Sequence, residues 1–457
     1  MRKVDFGDGN ITSDILRTSF PMLIAQVLNL LYSIVDRVYI GRIADVGTQA
    51  LGAVGLCFPL IIMVTAFTNM FGMGGAPLFS MALGRGDRRT AQEIENTSFR
   101  LLVVTAITIM VTGEVFGAPL LRLFGATADE LPMALSYLRI YLLGTLFIML
   151  ATGMNSFINA QGYSIDGMIS VTIGAGANLI LDPIFIFGLG LGIRGAALAT
   201  VLAQLLSVTY VAFFLFGPRR KNEFTVRMGT ALPHARDIIS LGTAPFIMQC
   251  TNSLVSIACN NVLMAVGGSV YVSVMTIVSS VRSILDTPVL AITEGATPVL
   301  SYNYGARRPA GVIKGIKVTM ALAVPYTFAV WLLVMLAPGF FVRIFSSDAE
   351  IMADAAHALH LYFFAFIFQS FQYCGQTVFK ALGKKRRAVF FSLFRKVILV
   401  IPLTFLLPHL FGLGTDGVFM AEPISNVIGG IACFSTMCLS ILPELHRMES
   451  ENKQGRS

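Results

Sequence analysis

VTIGAGANLILDPIFIFG, Val171 to Gly188, decides the fold: it is a long apolar run with a single ionisable side chain, Asp182. Crossing the hydrocarbon core of a bilayer takes roughly 20 apolar residues in helical form, and with its apolar flanks this run is long enough. Working outward, runs of the same kind centre upstream near Phe147, Ile107, Met63 and Leu28. Downstream they centre near Leu206 and, after a polar stretch, near Ser256, Ile277, Phe328, Phe366, Val400 and Ile431. The expectation is an all-α membrane protein of twelve transmembrane helices. Composition agrees: 55% of the 457 residues are hydrophobic and 13% charged, where a soluble domain carries about 25% charged residues.

Lys and Arg placement orients the chain, because cytoplasmic loops retain basic residues. The even-numbered loops hold 17, including Arg85, Arg219, Arg307 and Lys384, against 4 in the odd-numbered loops: Arg42, Arg122, Arg194 and Arg343. Both termini are therefore expected in the cytoplasm. The same loops account for the net charge of +8, so the basic balance does not imply nucleic acid. Met1 to Ser13 is polar, and no cleavable signal peptide is expected there. The six cysteines fall in apolar runs without a CxxC pair, which reads as helix packing by free thiols.

The chain repeats itself. Ala160-Gln161-Gly162 matches Ala381-Leu382-Gly383, Phe124 matches Phe345, Tyr141 matches Tyr362, and Pro77 and Gly84 match Pro298 and Gly305, all at an offset of 221. An even number of spans per half gives both halves the same orientation, so the spacing predicts two pseudo-symmetric six-helix bundles about an axis along the membrane normal. The expected division is an N-terminal half over 1–217, a cytoplasmic linker over 218–236, and a C-terminal half with a short tail over 237–457.

Polar residues converge at one depth of the N-terminal half. Asp36 lies about five residues, or roughly 8 Å, from the outer end of the first span. Asp182 falls at a similar depth on the fifth span, with Asn178 one turn deeper on the same face. Thr200 on the sixth span and Tyr137 on the fourth reach nearby levels. A carboxylate within the bilayer costs at least about 2.5 kcal/mol and needs a reason. Interhelical hydrogen bonding, a helix-end cap near the interface, or a cation or proton site supplies one, and two carboxylates in one layer favour the last. The second half lacks the pair: Asn260 stands in place of Asp36, and Leu399 and Leu403 in place of Asn178 and Asp182. Polar stripes accompany these residues: Gln26, Asn29, Ser33 and Asp36 on the first span, Thr200, Gln204 and Ser207 on the sixth, and Gln369, Gln372 and Gln376 on the tenth. They face either neighbouring helices or a wet cleft, since lipid would not accept them.

Weaker candidates are Glu114, Asp286, Glu294 and Glu422. His357 and His360 read as an interfacial polar turn rather than a metal pair. Gly190-Leu-Gly192-Ile-Arg-Gly195 and Gly412-Leu-Gly414-Thr-Asp-Gly417 fit GxGxxG, but a dinucleotide fingerprint must follow a strand and open a helix. Here each copy joins two spans and reads as a tight turn. No Walker loop, HExxH or GxSxG is present. An enzyme is not expected, nor a cofactor or metal.

The chain resembles the MATE (multidrug and toxic compound extrusion) family, nearest its MepA-like branch. The resemblance is carried by Pro21 through Asp36-Arg37-Val-Tyr-Ile-Gly41, Gly74-Gly75-Ala-Pro77 to Gly84, Asn178 to Pro183, Asn303-Tyr-Gly-Ala306 and Ala421-Glu-Pro-Ile-Ser425. It implies a V-shaped central cleft and export of cationic, amphiphilic drugs against inward H⁺ or Na⁺. It also implies a multi-pass protein of the bacterial inner membrane, sufficient as a monomer. The resemblance assigns cation or proton coupling to Asp36, Asn178, Asp182 and Thr200, with Tyr137, Gln204, Glu294 and Glu422 as secondary candidates. The alternative is a lipid-linked glycan flippase of the wider superfold. Such proteins have Arg-rich clefts, and few buried arginines are expected here.

Overall fold

A computed structural model describes residues 3–7, 9–44, 46–217, 231–345 and 349–454. Most of the expected linker, 218–230, lies outside the described residues. The first half contains α1 (Ile11–Gly41), α2 (Gly47–Gly84), α3 (Arg88–Leu123), α4 (Leu131–Leu143), α5 (Thr145–Ala160), α6 (Ser164–Pro183) and α7 (Ile193–Phe216). The second contains α8 (Ala235–Gly305), α9 (Pro309–Leu336), α10 (Pro338–Arg343), α11 (Ala349–Phe363), α12 (Ile367–Ala381), α13 (Lys385–Leu393), α14 (Ile401–Leu406) and α15 (Gly414–Gln454). No strand occurs among the described residues.

Among the described residues, nine helices are long and apolar enough to cross a membrane. Two further spans are bent pairs, α4 with α5 at 51° and α11 with α12 at 49°, which makes eleven. The longest helix, α8, is interrupted at Gly268 (φ 76°, ψ −169°), a backbone conformation open essentially only to glycine. That break divides α8 into two spans and brings the total to twelve. Each expected centre falls on one of them.

Helix ends follow their local chemistry. Asp87 caps α3 by accepting from the Thr90 amide at 3.0 Å. Before α4, Thr127 and Glu130 form a reciprocal capping box: the Thr127 amide donates to Glu130 Oε2 at 3.2 Å and the Glu130 amide to Thr127 Oγ1 at 3.3 Å. Both GxGxxG copies are turns, with Gly190, Gly192, Gly412 and Gly414 all at positive φ between 53° and 65°. Side chains other than glycine rarely adopt that conformation.

By its contacts the chain divides into two compact units. Unit 1 comprises Met1–Val4, Ile24–Ala82 and Asp87–Gly242; unit 2 comprises Asp5–Leu23, Leu83–Gly86 and Thr243–Ser457. The core of unit 1 includes Phe79 edge-on to Phe157 at 5.5 Å, and α5 approaches α3 at Gly153, where a Cβ would come within 2.6 Å of Leu102. The core of unit 2 gathers Leu263, Val278, Val334, Leu359, Phe363 and Phe419. There α12 and α15 nearly touch: a Cβ on Gly430 would lie 2.4 Å from the Phe368 carbonyl oxygen. Close approach through small residues is how helices associate where lipid removes the hydrophobic drive. The first turns of α1 belong to unit 2, anchored by Thr18 Oγ1 donating to the Gly295 carbonyl at 2.8 Å.

Candidate functional site

Unit 1 brings the polar residues of α1, α4, α6 and α7 together. Asn178 and Asp182 lie one turn apart on α6, so their side chains meet: Asn178 Nδ2 donates to Asp182 Oδ1 at 3.2 Å. The same amide reaches Thr200 Oγ1 on α7 at 3.5 Å. Asp182 is fully buried and Asn178 almost so. Asp36 on α1 is partly buried, and its charge acts on Asp182. Tyr32, one turn before Asp36, and the buried Tyr137 on α4 both sense the charges of Asp36 and Asp182. Tyr137 stacks on Tyr141 with ring centroids 6.2 Å apart, which fixes its ring beside the carboxylates. Gln204 is partly buried one turn beyond Thr200. Ser207 turns to α6 instead and donates to the Ser170 carbonyl at 2.9 Å, so this part of the stripe is helix–helix bonding.

The site is rich in acceptors and poor in donors. Asp36 Oδ1, Asp182 Oδ2 and Asn178 Oδ1 are all buried oxygens without a hydrogen-bond partner. Such groups are few in a folded protein, and each calls for an explanation. The neighbouring Arg37 guanidinium lies over the Phe58 ring, 5.1 Å from its centroid, within electrostatic reach of Asp36. Oxygens of this kind are the ligands that a proton or a hard cation takes. Immediately after Asp182-Pro183 the helix widens into a π-helical turn, Ile184–Gly188, a feature concentrated at functional sites.

The secondary candidates of unit 2 have cationic neighbours. Glu294 lies within electrostatic reach of Lys380. Glu422, 3% exposed, pairs with Arg282 at 2.7 Å and with Arg395 and Lys396 at 2.8 Å each. Arg395 is buried and Arg282 partly so, in keeping with the expectation of few buried arginines. Arg282, Arg395 and Lys396 sit inside apolar runs, and that position was the signal available for them. Asp286 pairs with Arg282 at 3.2 Å and accepts from Gln369 at 2.9 and 3.0 Å. Gln376 donates to Ser392, so the α12 stripe faces its own bundle. Glu114 makes a loose pair with Arg139 at 3.8 Å. His357 bonds Asp416 and His360 bonds the Met335 carbonyl, and no group of three His, Cys, Asp or Glu suited to a metal occurs among the described residues.

Known proteins share this architecture. The MatE family model matches twice, over residues 21–184 and 245–406, which reproduces the internal repeat. The multidrug export protein MepA of Staphylococcus haemolyticus is 26% identical over 429 residues, covering 93% of this chain and 92% of the relative. MepA of Staphylococcus saprophyticus is 25% identical over 434 residues, 93% of each chain. Among solved structures, an outward-facing multidrug resistance MATE family transporter of the MOP superfamily superposes with a TM-score of 0.91. It is 24% identical and covers 98% of this chain and 99% of that one. A MOP superfamily transporter from Pyrococcus furiosus, described as having a binding pocket of reversed polarity, matches with a TM-score of 0.90 at 24% identity, covering 98% of this chain and 99% of that one.

Proposed function

The chain belongs to the MatE family, and from that premise we propose that it is a multidrug exporter that moves cationic, amphiphilic compounds out of the cell in exchange for inward H⁺ or Na⁺. The relatives named as multidrug export proteins cover nine-tenths or more of its length, and family membership places it among transporters rather than enzymes. The observation that carries the coupling reading is the buried acceptor set of unit 1: Asp36, Asp182 and Asn178 each present an unpartnered oxygen.

The cycle follows from electrostatics. With both carboxylates ionised, two negative charges sit close together in a low-dielectric layer. A proton or Na⁺ entering from outside neutralises one of them and removes the penalty for closing water out. The occupied carrier reorients and releases the ion inside, and the emptied pair is then ready for a cationic drug. Asn178 and Thr200 orient Asp182 and supply neutral ligands, while Tyr137 walls the site. The 17-to-4 distribution of basic loop residues supports a bacterial inner-membrane orientation with both termini cytoplasmic, and a single chain is sufficient.

Purified protein in proteoliposomes, loaded with ethidium and given H⁺ and Na⁺ gradients separately, tests the reading. One of the two gradients should drive ethidium transport. If neither moves any cationic amphiphile, while a lipid-linked glycan is translocated, the flippase alternative takes its place.

A further inference from the structure

The odd-numbered loops, across the membrane from the termini, are poor in basic residues: Arg42, Arg122, Arg194 and Arg343 stand there against 17 in the even-numbered loops. Arg122 and Arg343 occupy the same place in the two repeats, at the offset of 221 that relates Phe124 to Phe345. Arg194, by contrast, is matched by Asp416 at 222. The repeated segments read Leu120-Leu-Arg-Leu-Phe124 and Phe341-Val-Arg-Ile-Phe345.

Both arginines lie in the last turn of a helix, Arg122 in α3 and Arg343 in α10. The residue before each, Leu121 or Val342, is fully buried. Consecutive residues of an α-helix point about 100° apart, so each guanidinium is turned out of the bundle, and both arginines are exposed. Neither has a hydrogen-bond or ion-pair partner among the described residues. The residue after each is apolar and also faces outward: Leu123 is 78% exposed and Ile344 62%.

Unit 2 adds a groove to this pattern. The chain breaks between α9 and α10 at Ala337 (φ −141°, ψ 56°), and an open cavity of about 580 Å³ lies there, lined by Leu336, Pro338, Phe340 and Ile344 together with Arg343. Leu336 and Phe340 are mostly exposed. At the end of a membrane span such side chains meet acyl chains, while a long cationic side chain reaches towards the headgroups. An apolar groove with one uncompensated cation is complementary to a lipid with one uncompensated anion. The phosphate of phosphatidylcholine is already balanced by its own ammonium group, whereas that of an anionic phospholipid is not.

We propose that Arg343 and the α9–α10 groove bind one anionic phospholipid, the guanidinium taking the phosphodiester and the groove an acyl chain. The planar fork of arginine bonds two phosphate oxygens at once. Arg122 marks the equivalent headgroup position in unit 1. The lipid is a resident ligand and not a cargo, so the site stands apart from the export cycle.

Fluorescence quenching by brominated lipids tests this. The chain has one tryptophan, Trp331, so Trp331→Phe gives a dark background in which Phe340→Trp places a single fluorophore in the groove. The full chain is reconstituted in vesicles of phosphatidylcholine and phosphatidylglycerol, with bromine on the acyl chains of one lipid or the other, and quenching reads their relative affinity at that position. Phosphatidylglycerol should be preferred about fivefold, the scale of one basic side chain at an anionic surface. Arg343→Gln should bring the preference to about one, and with no partner to lose it leaves the fold intact. Phe328→Trp in the same background, about two turns before Leu336 on α9, should show no preference. Inorganic phosphate in the buffer should change nothing. No preference at Phe340→Trp, a preference that survives Arg343→Gln, or an equal one at Phe328→Trp overturns the proposal and leaves the groove in ordinary contact with bulk lipid. Abolition by inorganic phosphate also overturns it, by making the site one for a free anion. No drug or gradient is applied, so failure here is distinct from failure of the coupling reading.

Discussion

At the scale of the residue, the proposed coupling rests on oxygen atoms that are buried without partners. Asp182→Asn keeps the shape and the bond from Asn178 but removes the charge on which the proposed coupling depends. Asp182→Asn and Asp36→Asn should therefore reach the membrane folded and lose gradient-driven ethidium efflux by at least about tenfold, the effect of roughly 1.4 kcal/mol at one site. Glu114→Gln disturbs only a loose pair at 3.8 Å and should stay within about twofold, since such pairs contribute little. Wild-type rates in both Asp variants would move the coupling site elsewhere. Glu422 differs in having three cationic partners. Glu422→Gln would leave Arg282, Arg395 and Lys396 buried without their shared carboxylate, a loss on the order of 3–5 kcal/mol. Thermal melting of the detergent-solubilised protein should show it as a lowered transition, and an unchanged one would mean that the three cations find other acceptors. Asn178 and Asp182 could be paired from their one-turn spacing alone. The meeting of Arg395 and Lys396 on one oxygen could not, because it depends on a π-helical turn that hydropathy does not register.

At the scale of the element, small residues set how closely helices approach. On Gly430 a Cβ would lie 2.4 Å from the Phe368 carbonyl oxygen, a backbone atom of α12 that cannot rotate aside. Gly430→Ala should therefore destabilise unit 2 by about 1–3 kcal/mol through overpacking. Gly176 on α6 has nothing within 4 Å of its would-be Cβ. Gly176→Ala should be neutral or stabilising by about 0.5–1 kcal/mol, because alanine loses less entropy on entering a helix. Comparing the two variants by thermal melting checks both, and equal effects would mean that the α12–α15 contact is looser than drawn. The element boundaries were largely legible, since apolar run length follows bilayer thickness. The bends within the α4–α5 and α11–α12 pairs were not, because hydropathy is the same for a straight and a bent span.

At the scale of the whole molecule, charge balance decides which driving force counts. One H⁺ or Na⁺ exchanged for a monovalent cationic drug moves no net charge, so the membrane potential should leave ethidium export unchanged in rate. For a zwitterion the same exchange carries one charge inward, and 100 mV then contributes about 2.3 kcal/mol, equivalent to roughly a 50-fold gradient. Clamping the potential with valinomycin and potassium in proteoliposomes should therefore alter transport of a free-acid rhodamine and not that of its ester. Equal sensitivity of the two dyes would exclude one-for-one exchange.

The sequence by itself determined the class, the twelve spans and the repeat. In hydrocarbon every backbone polar group must be satisfied within its own segment, so a long apolar run such as Val171–Gly188 has one structural outcome wherever it occurs. It also determined the Asn178–Asp182 pair, because helical periodicity places residues four apart on one face. Only the tertiary structure decided which helices meet and how each is rotated. That placed Thr200 and Asp36 beside Asp182, directed Ser207 to α6 and not to a cleft, and assembled Arg282, Arg395 and Lys396 around Glu422. Such contacts join residues far apart in the chain, and their geometry arises from side-chain packing between helices, a physical quantity that no local pattern of apolar and polar residues encodes.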